Sequence, residues 1–401
     1  MRLINFSFLS KGIYEFFFSY PAPSNLSYFW NFGVYSFFCL FIQILTGIFL
    51  AMHYSPEQTL AFLSLEHIMR DVQLGWLLRY IHANGASMFF IVVYIHTFRG
   101  LYFTSYSQPR EVLWMVGVII LLLMILTAFL GYVLPWGQMS FRAATVITNL
   151  LSAVPIIGSK LVILVWGGYA VDNATLNRFF SLHYLFPFIL LGLVFIHLLL
   201  LHDHGSNNPL GIEFKLIDHI TMYPYYIYKD LFGIICFFIF FSIFLFFYPN
   251  VLGHTDNYIY ANAMVTPSHI VPEWYFSPFY AILRSIPDKL LGVIFLLLSI
   301  LVLLLLPFII KPEVKSLNFR PLSRILFWFF VFICFILGWI GQKPAEYPYV
   351  QIGQLITFLY FFVWIILFPL IIKIEYFFWT NEFYFQKMKF NLKLIKNELH
   401  D

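Results

Sequence analysis

The chain has 401 residues, of which 61% are hydrophobic and only 10% charged, and its formal net charge is +4. With a mean hydropathy of +0.83 it is an integral membrane protein, because a water-soluble enzyme or a nucleic-acid-binding domain of this length needs far more polar surface. Cys39, Cys236 and Cys334 stand alone in apolar stretches, with no CxxC or CxxCH. They read as small buried hydrophobes, which disfavours both a thiolate-bound iron–sulfur cluster and a covalently attached haem.

The opening MRLINFSFLSKGIYEFFFSY is aromatic-rich and lacks a small-residue cleavage site, so it predicts a surface helix rather than a secretory signal. Eight stretches are long and apolar enough to cross a bilayer: 31–53, 76–103, 112–133, 179–201, 230–248, 290–309, 322–341 and 352–372. The run 161–168 is too short for this and is flanked by Pro155 and Gly167-Gly168; together with 143–153 it reads as interfacial helix. The expected fold is all-α, an integral membrane protein with eight transmembrane helices, the first four forming a bundle.

The first four spans share one interval. Gly33 and Gly47 lie 14 apart in the first, His82 and His96 in the second, Gly117 and Gly131 in the third, His183 and His197 in the fourth. Fourteen helical residues bring two side chains to one face, about 40° out of line and roughly 21 Å apart along the axis. Two such helices side by side present facing histidine pairs at two depths, each suited to clamp a planar metal cofactor axially, and haem is the natural candidate. Glycine in the other two helices lets a flat macrocycle lie against the backbone. One histidine in an apolar span is ordinarily a packing residue; the matched intervals favour ligation.

Lysine and arginine set the orientation. The side holding both termini collects 15 of the 23, against 8 on the other, while the acids divide 11 to 8. Both termini are therefore expected in the matrix or cytoplasm, with His82 and His183 near the outer face and His96 and His197 near the inner. The tail residues Lys387, Lys389, Lys393 and Lys396 contribute to this bias and read as a solvated tail. Arg79 and Arg99 lie three residues from the histidines at opposite ends of the second span. Each either meets a buried anion, such as a haem propionate, or snorkels to the interface.

Three segments outside the spans carry dense chemistry. On the outer side are GYVLPWGQMSFRAATVITN (131–149) and PSHIVPEWYFSPFYAILRSIP (267–287). In the latter, Glu273 stands in an apolar setting that raises a carboxylate pKa and suits it to accept a proton. Tyr132 and Tyr280 offer phenols to the same region. On the inner side, HDHGSNNPLG (202–211) and YPYYIYKD (223–230) bring His202, Lys229 and Asp230, which can bind a polar head and move protons.

The strings LRYIHANGAS, GYVLPWGQMS, HGSNNP and PEWYF, in this order and spacing, resemble the mitochondrial cytochrome b family, the core subunits of ubiquinol–cytochrome c reductase (complex III). The likeness covers almost the whole chain, and its unbroken eight spans favour the respiratory branch over the split plastid one. The resemblance implies that His82 and His183 ligate a low-potential haem b and His96 and His197 a high-potential one. Tyr132, Glu273 and Tyr280 would line an outer site oxidising ubiquinol; His202, Ser206, Lys229 and Asp230 would line an inner site reducing ubiquinone, in a Q cycle. Ser206 and Lys229 also have plainer readings, a turn cap and an interfacial cation.

The resemblance further implies a Rieske iron–sulfur subunit, a c-type cytochrome subunit and other complex III subunits as partners. It implies a homodimer of the complex in the mitochondrial inner membrane, in contact with lipid and not with nucleic acid. Residues 1–210 would form the di-haem four-helix bundle, and 211–401 the C-terminal four-helix region with the PEWY loop and basic tail. The chain departs from the family at Arg142-Ala143, where Trp-Gly is usual, at Val271, where Lys is common, and at Ser277-Pro278 after PEWYF. The methyl of Ala143 is expected to crowd the outer pocket against rigid methoxyacrylate inhibitors. A ferric reductase or a dehydrogenase anchor would also pair histidines but needs neither the Glu273 loop nor a second quinone site. A transporter predicts midplane charges, whereas here the charges hug span ends.

Overall fold

The computed structural model describes residues 11–12, 14–15, 18–212 and 216–381. The basic tail and most of the expected N-terminal surface helix lie outside the described residues. Among the described residues, eight helices are long and apolar enough to span a bilayer. They are α1 (Phe32–Ala51), α3 (Gly75–Tyr102), α4 (Glu111–Val133), α7 (Asn173–His204), α8 (Ile227–Phe246), α10 (Lys289–Ile309), α11 (Pro321–Gly341) and α12 (Tyr349–Phe362, continuing helically to residue 381). All eight match the stretches read from hydropathy, since length and apolarity alone decide them. Leu, Ile and Phe cover the outward faces; Phe335, for example, is 75% exposed.

Four shorter helices lie between the spans: α2 (Ala61–Arg70), α5 (Gln138–Asn149), α6 (Gly158–Trp166) and α9 (Ser277–Ser285). The interfacial helix expected over 143–153 and 161–168 is thus two helices. Pro155 explains the break: it holds Val154 extended (φ −67°, ψ 121°) and removes an amide donor. Nine residues leave α6 too short to span. A capping box then starts α7, the Asp172 side chain accepting from the Asn173 amide while Thr175 reaches back to the Asp172 amide.

Helix α1 packs along α3, and α4 along α7. The C-terminal spans wrap around α9, which contacts α10, α11 and α12. Buried Ile282, Ile333, Leu337 and Val363 fill that core. At the end of the bundle nearer His96 and His197, β1 (Pro21–Pro23) pairs antiparallel with β2 (His219–Thr221), Pro21 opposite Thr221. The prolines give this ribbon an edge that cannot add a further strand. At the same end the start of α11 is tied to α12 by a buried ion pair. Arg320 Nε lies 3.0 Å from Glu375 Oε2, and the Ser323 amide donates to Glu375 Oε1 at 2.9 Å.

Candidate functional site

The two helix pairs set each glycine against one histidine. A β-carbon built on Gly33 would lie 3.3 Å from His96 Cε1; on Gly47, 3.2 Å from His82 Cε1; on Gly117, 3.2 Å from His197 Cε1; and on Gly131, 2.3 Å from His183 Cε1. The glycines therefore admit the imidazole rings themselves, a closer role than the flat wall expected from spacing alone. At three of the four, the absent side chain also opens the backbone one turn earlier. His183 Nδ1 donates to the Thr127 carbonyl at 2.8 Å, four residues before Gly131. His82 Nδ1 lies 2.9 Å from Thr46 Oγ1 and turns toward the Gln43 carbonyl, four before Gly47. His197 Nδ1 turns toward Leu113, four before Gly117, outside hydrogen-bond geometry.

Across the bundle the histidines meet in pairs. The ring centroids of His82 and His183 are 6.2 Å apart with 86° between the planes; those of His96 and His197 are 6.5 Å apart at 60°. With a metal–imidazole bond of about 2 Å and a ligating nitrogen about 1.1 Å from the ring centre, two imidazoles on opposite sides of one metal have centroids about 6.3 Å apart. Both pairs fit that separation. Where Nδ1 is bound to an acceptor, Nε2 is the nitrogen left to ligate.

Arg99 lies in α3 beside the second pair. Its guanidinium stands 5.2 Å from the centre of the Trp30 ring, and its Nη2 is 3.1 Å from His96 Nδ1. Arg99 Nε and Trp30 Nε1 are both buried donors without an acceptor. The cluster suits an acceptor-only, anionic group. Arg79, at the opposite end of α3, has Tyr258, Tyr80 and Glu273 as its electrostatic neighbours and makes no ion pair among the described residues.

A cavity of about 300 Å³ opens beside the first pair, lined by His82, His183, Gly47, Gly131, Arg79, Tyr132, Tyr275 and Glu273 among others. Helix α2, which the sequence reading did not separate from its loop, contributes Leu65, Glu66 and Met69 to this lining. The PEWY segment is fixed on every side. Trp274 Nε1 donates to Ser87 Oγ at 3.0 Å, Tyr94 donates to the Tyr275 carbonyl at 2.6 Å, Gln342 donates to the Pro272 carbonyl at 2.8 Å, and Tyr275 stacks on Phe90 at 4.1 Å. Burial pushes the Glu273 carboxyl up to about 7; a hydrogen bond from Tyr132 and the charge of Arg79 pull the other way and are outweighed.

At the end of the bundle near His96 and His197, the segment 18–31 touches both groups expected to form the inner site. Tyr20 packs on His202, with ring centroids 4.2 Å apart, and His202 Nδ1 donates to the Leu198 carbonyl at 2.8 Å. The Lys229 ammonium donates to the Leu26 carbonyl and lies 4.8 Å from the Tyr28 ring centre. Asp230 is buried in the first turn of α8, where a carboxylate complements the helix dipole, with Lys229, Tyr35 and Tyr226 around it. Ser206 is half-buried just after the glycine that ends α7.

The family profile described as cytochrome b/b6/petB matches residues 17–205, and the profile of its C-terminal counterpart, cytochrome b (C-terminal)/b6/petD, matches residues 260–361. Cytochrome b of Chondrus crispus is 63% identical over 89% of this chain and 94% of that relative. The chain belongs to the cytochrome b family. Cytochrome b of Oryza sativa subsp. japonica is 60% identical over 90% of this chain and 92% of its own length. Among solved structures, a chain of a hyperthermophilic respiratory complex III superposes with a TM-score of 0.87 at 36% identity, covering 94% of this chain and 99% of that one. The eight-span cytochrome b fold is thus shared.

Two of the positions expected at the outer site lie off the lining of this cavity. Tyr280 is not on the cavity that holds Glu273 and Tyr132; it lies under Arg284, 4.9 Å from the guanidinium carbon, one helical turn beyond the Glu273 loop. Tyr275, two residues from Glu273 in the PEWY motif itself, also lines that cavity. Ala143 is half-buried on α5 and is not part of the cavity lining. Its neighbour Arg142 reaches across to the 262–265 loop rather than to water, donating to the Ala263 carbonyl at 3.0 Å and to that of Val265. Gln138 clasps the same loop, receiving the Asn262 amide at 2.7 Å.

Proposed function

We propose that this chain is the haem-b-carrying subunit of a respiratory ubiquinol–cytochrome c reductase, complex III, oxidising ubiquinol at an outer site and reducing ubiquinone at an inner one. The observation that carries the reading is the pair of facing imidazole couples at the spacing one ligated iron demands, each ring seated on a glycine. His82 and His183 would hold the outer haem b, His96 and His197 the inner, with Arg79 and Arg99 toward their propionates. When bound, the two haems supply one-electron carriers that relay charge across the low-dielectric interior.

Oxidation of ubiquinol releases two electrons and two protons. Glu273, poised near neutrality, accepts a proton from the quinol hydroxyl, and Tyr132 and Tyr275 hold the pocket around it. One electron leaves on a Rieske iron–sulfur subunit and on to a c-type cytochrome subunit. Both belong to other chains of the complex, because this one has no cysteine set for either group. At the inner face, reduction of ubiquinone takes up two protons, and His202 and Asp230 are the groups placed to deliver them, with Lys229 and Ser206 toward the polar head.

On this reading residues 1–210 form the haem-carrying half and 211–401 the supporting half, with both termini in the matrix of a mitochondrion, at its inner membrane. The apolar window of α7 is only 6% buried within the chain. That open face supports a homodimer of the complex. A reduced-minus-oxidised optical spectrum of the purified complex tests the reading. Two b-type components that differ in midpoint potential are expected; a single component, or none, overturns it.

A further inference from the structure

We infer that Tyr20 is a positioning residue for the inner quinone site: its ring holds the His202 imidazole in the orientation that serves the quinone. This rests on the inner-site reading above. The backbone of Tyr20 is fixed from the side of α8. Its carbonyl accepts from the Met222 amide at 3.0 Å, the Phe18 carbonyl accepts from Tyr223 at 2.9 Å, and the β1–β2 ladder starts at the next residue, Pro21. The ring is fixed from the side of α7. It packs 4.2 Å from the His202 ring, and its hydroxyl reaches the Leu201 carbonyl at 3.5 Å, the limit of a hydrogen bond. Gly205, at φ +70°, keeps the space beside that hydroxyl clear; a β-carbon there would lie 3.3 Å from it. Arg110 closes the rim by donating to the Gly205 carbonyl at 2.8 Å.

One aromatic ring thus bridges the end of α7, which carries His202, and the ribbon that leads into α8, which carries Lys229 and Asp230. The bridge matters because of how His202 is held. Its Nδ1 is committed to the Leu198 carbonyl, so any proton His202 exchanges with a ligand passes through Nε2. The ring can tilt about that hydrogen bond, and the Tyr20 face packed against it limits the tilt. The work is done by the ring: the hydroxyl contact is long, and phenylalanine keeps the whole packing face.

The test compares Tyr20→Phe, Tyr20→Leu and His202→Leu in membranes holding the assembled complex. Quinone reduction at the inner site is followed as a function of quinone concentration, and haem reduction through the outer site is followed separately. Tyr20→Leu is expected to raise the inner-site KM for quinone on the order of tenfold, the effect of one weakened polar contact. Its kcat should fall less than that, and outer-site rates should not change. Tyr20→Phe should restore the native KM. An unchanged KM in Tyr20→Leu overturns the inference, as does a Tyr20→Phe variant as defective as Tyr20→Leu, which would make the hydroxyl the acting group. If His202→Leu itself keeps native inner-site kinetics, the inner-site assignment fails and takes this inference with it.

Discussion

A β-carbon on Gly131 would fall 2.3 Å from His183 Cε1, nearly an ångström closer than the corresponding approach at Gly33, Gly47 or Gly117. No real β-carbon tolerates such a contact, so one of the four helix–histidine seats is far less forgiving than the others. Gly131→Ala must displace His183, whereas the other three require a shift of a few tenths of an ångström. The expected outcome is loss of the outer haem in Gly131→Ala, with Gly33→Ala and Gly117→Ala retaining both haems at slightly altered potential. Optical spectra of the four single variants give the ranking; equal effects at all four would refute it.

Glu273 gives a pH prediction with a definite sign. Its carboxyl is raised from the usual carboxylate range to about 7, so it is largely protonated below that pH and able to accept a proton above it. Quinol oxidation is expected to rise with pH through a limb near 7, and Glu273→Gln should be slow and lack that limb. For stability the sign is opposite. A raised carboxyl favours the fold while it stays protonated, and this contribution fades as pH rises through about 7. A pH–rate profile for quinol oxidation, with the inner site inhibited, checks the first statement.

Arg99 and His96 make a contact that the proposed ligation would have to change. An arginine only donates, so the 3.1 Å approach of its Nη2 to His96 Nδ1 needs an unprotonated Nδ1. An imidazole that binds iron through Nε2 carries its proton on Nδ1, which turns Arg99 away toward an anionic group. Arg99→Leu would then remove a buried positive charge beside the inner haem and make its reduction harder. A downward shift on the order of 60 mV in that haem's midpoint, the equivalent of a tenfold change for one electron, is expected by redox titration. The outer haem should keep its native value.

The Arg320–Glu375 pair is a stability prediction with no catalytic content. Both side chains are nearly inaccessible, and Ser323 completes the network. Glu375→Gln leaves a buried guanidinium without its counter-charge, which costs about 3–5 kcal/mol. Replacing both by apolar residues of similar volume should cost much less. Thermal denaturation of the detergent-solubilised complex separates the two: the single variant should be the less stable.

The spans and the facing histidine pairs are legible because each depends on one period. Twenty apolar residues define a crossing, and 14-residue spacing of His82 with His96 or His183 with His197 follows the helical repeat whatever packs around it. What the sequence did not disclose depends on contacts between distant segments. The PAP of β1 reads as a turn, since proline argues against a strand; only the partner near residue 220 makes it one. Helix α2 is short and amphipathic, and its helical pairs Glu66–Arg70 and His67–Asp71 were a signal that hydropathy does not weigh. That Tyr275 lines the cavity beside Glu273 while Tyr280 lies off its lining cannot be read from spacing, because both phenols belong to one loop. Their orientation is set by Phe90 and Arg284, from other parts of the chain.

The pairing of β1 with β2 also orders events in time. Its two strands are separated by roughly 200 residues and four membrane crossings, so the first cannot find its partner until α7 has been threaded and the following loop has emerged. At a synthesis rate of about 5–20 residues per second, that interval is on the order of 10–40 s. Throughout it, the stretch carrying Tyr20 and Leu26 is an open N-terminal arm. This end of the bundle can therefore close only after all four bundle helices are in the bilayer, and access to the bundle from that end stays open until then.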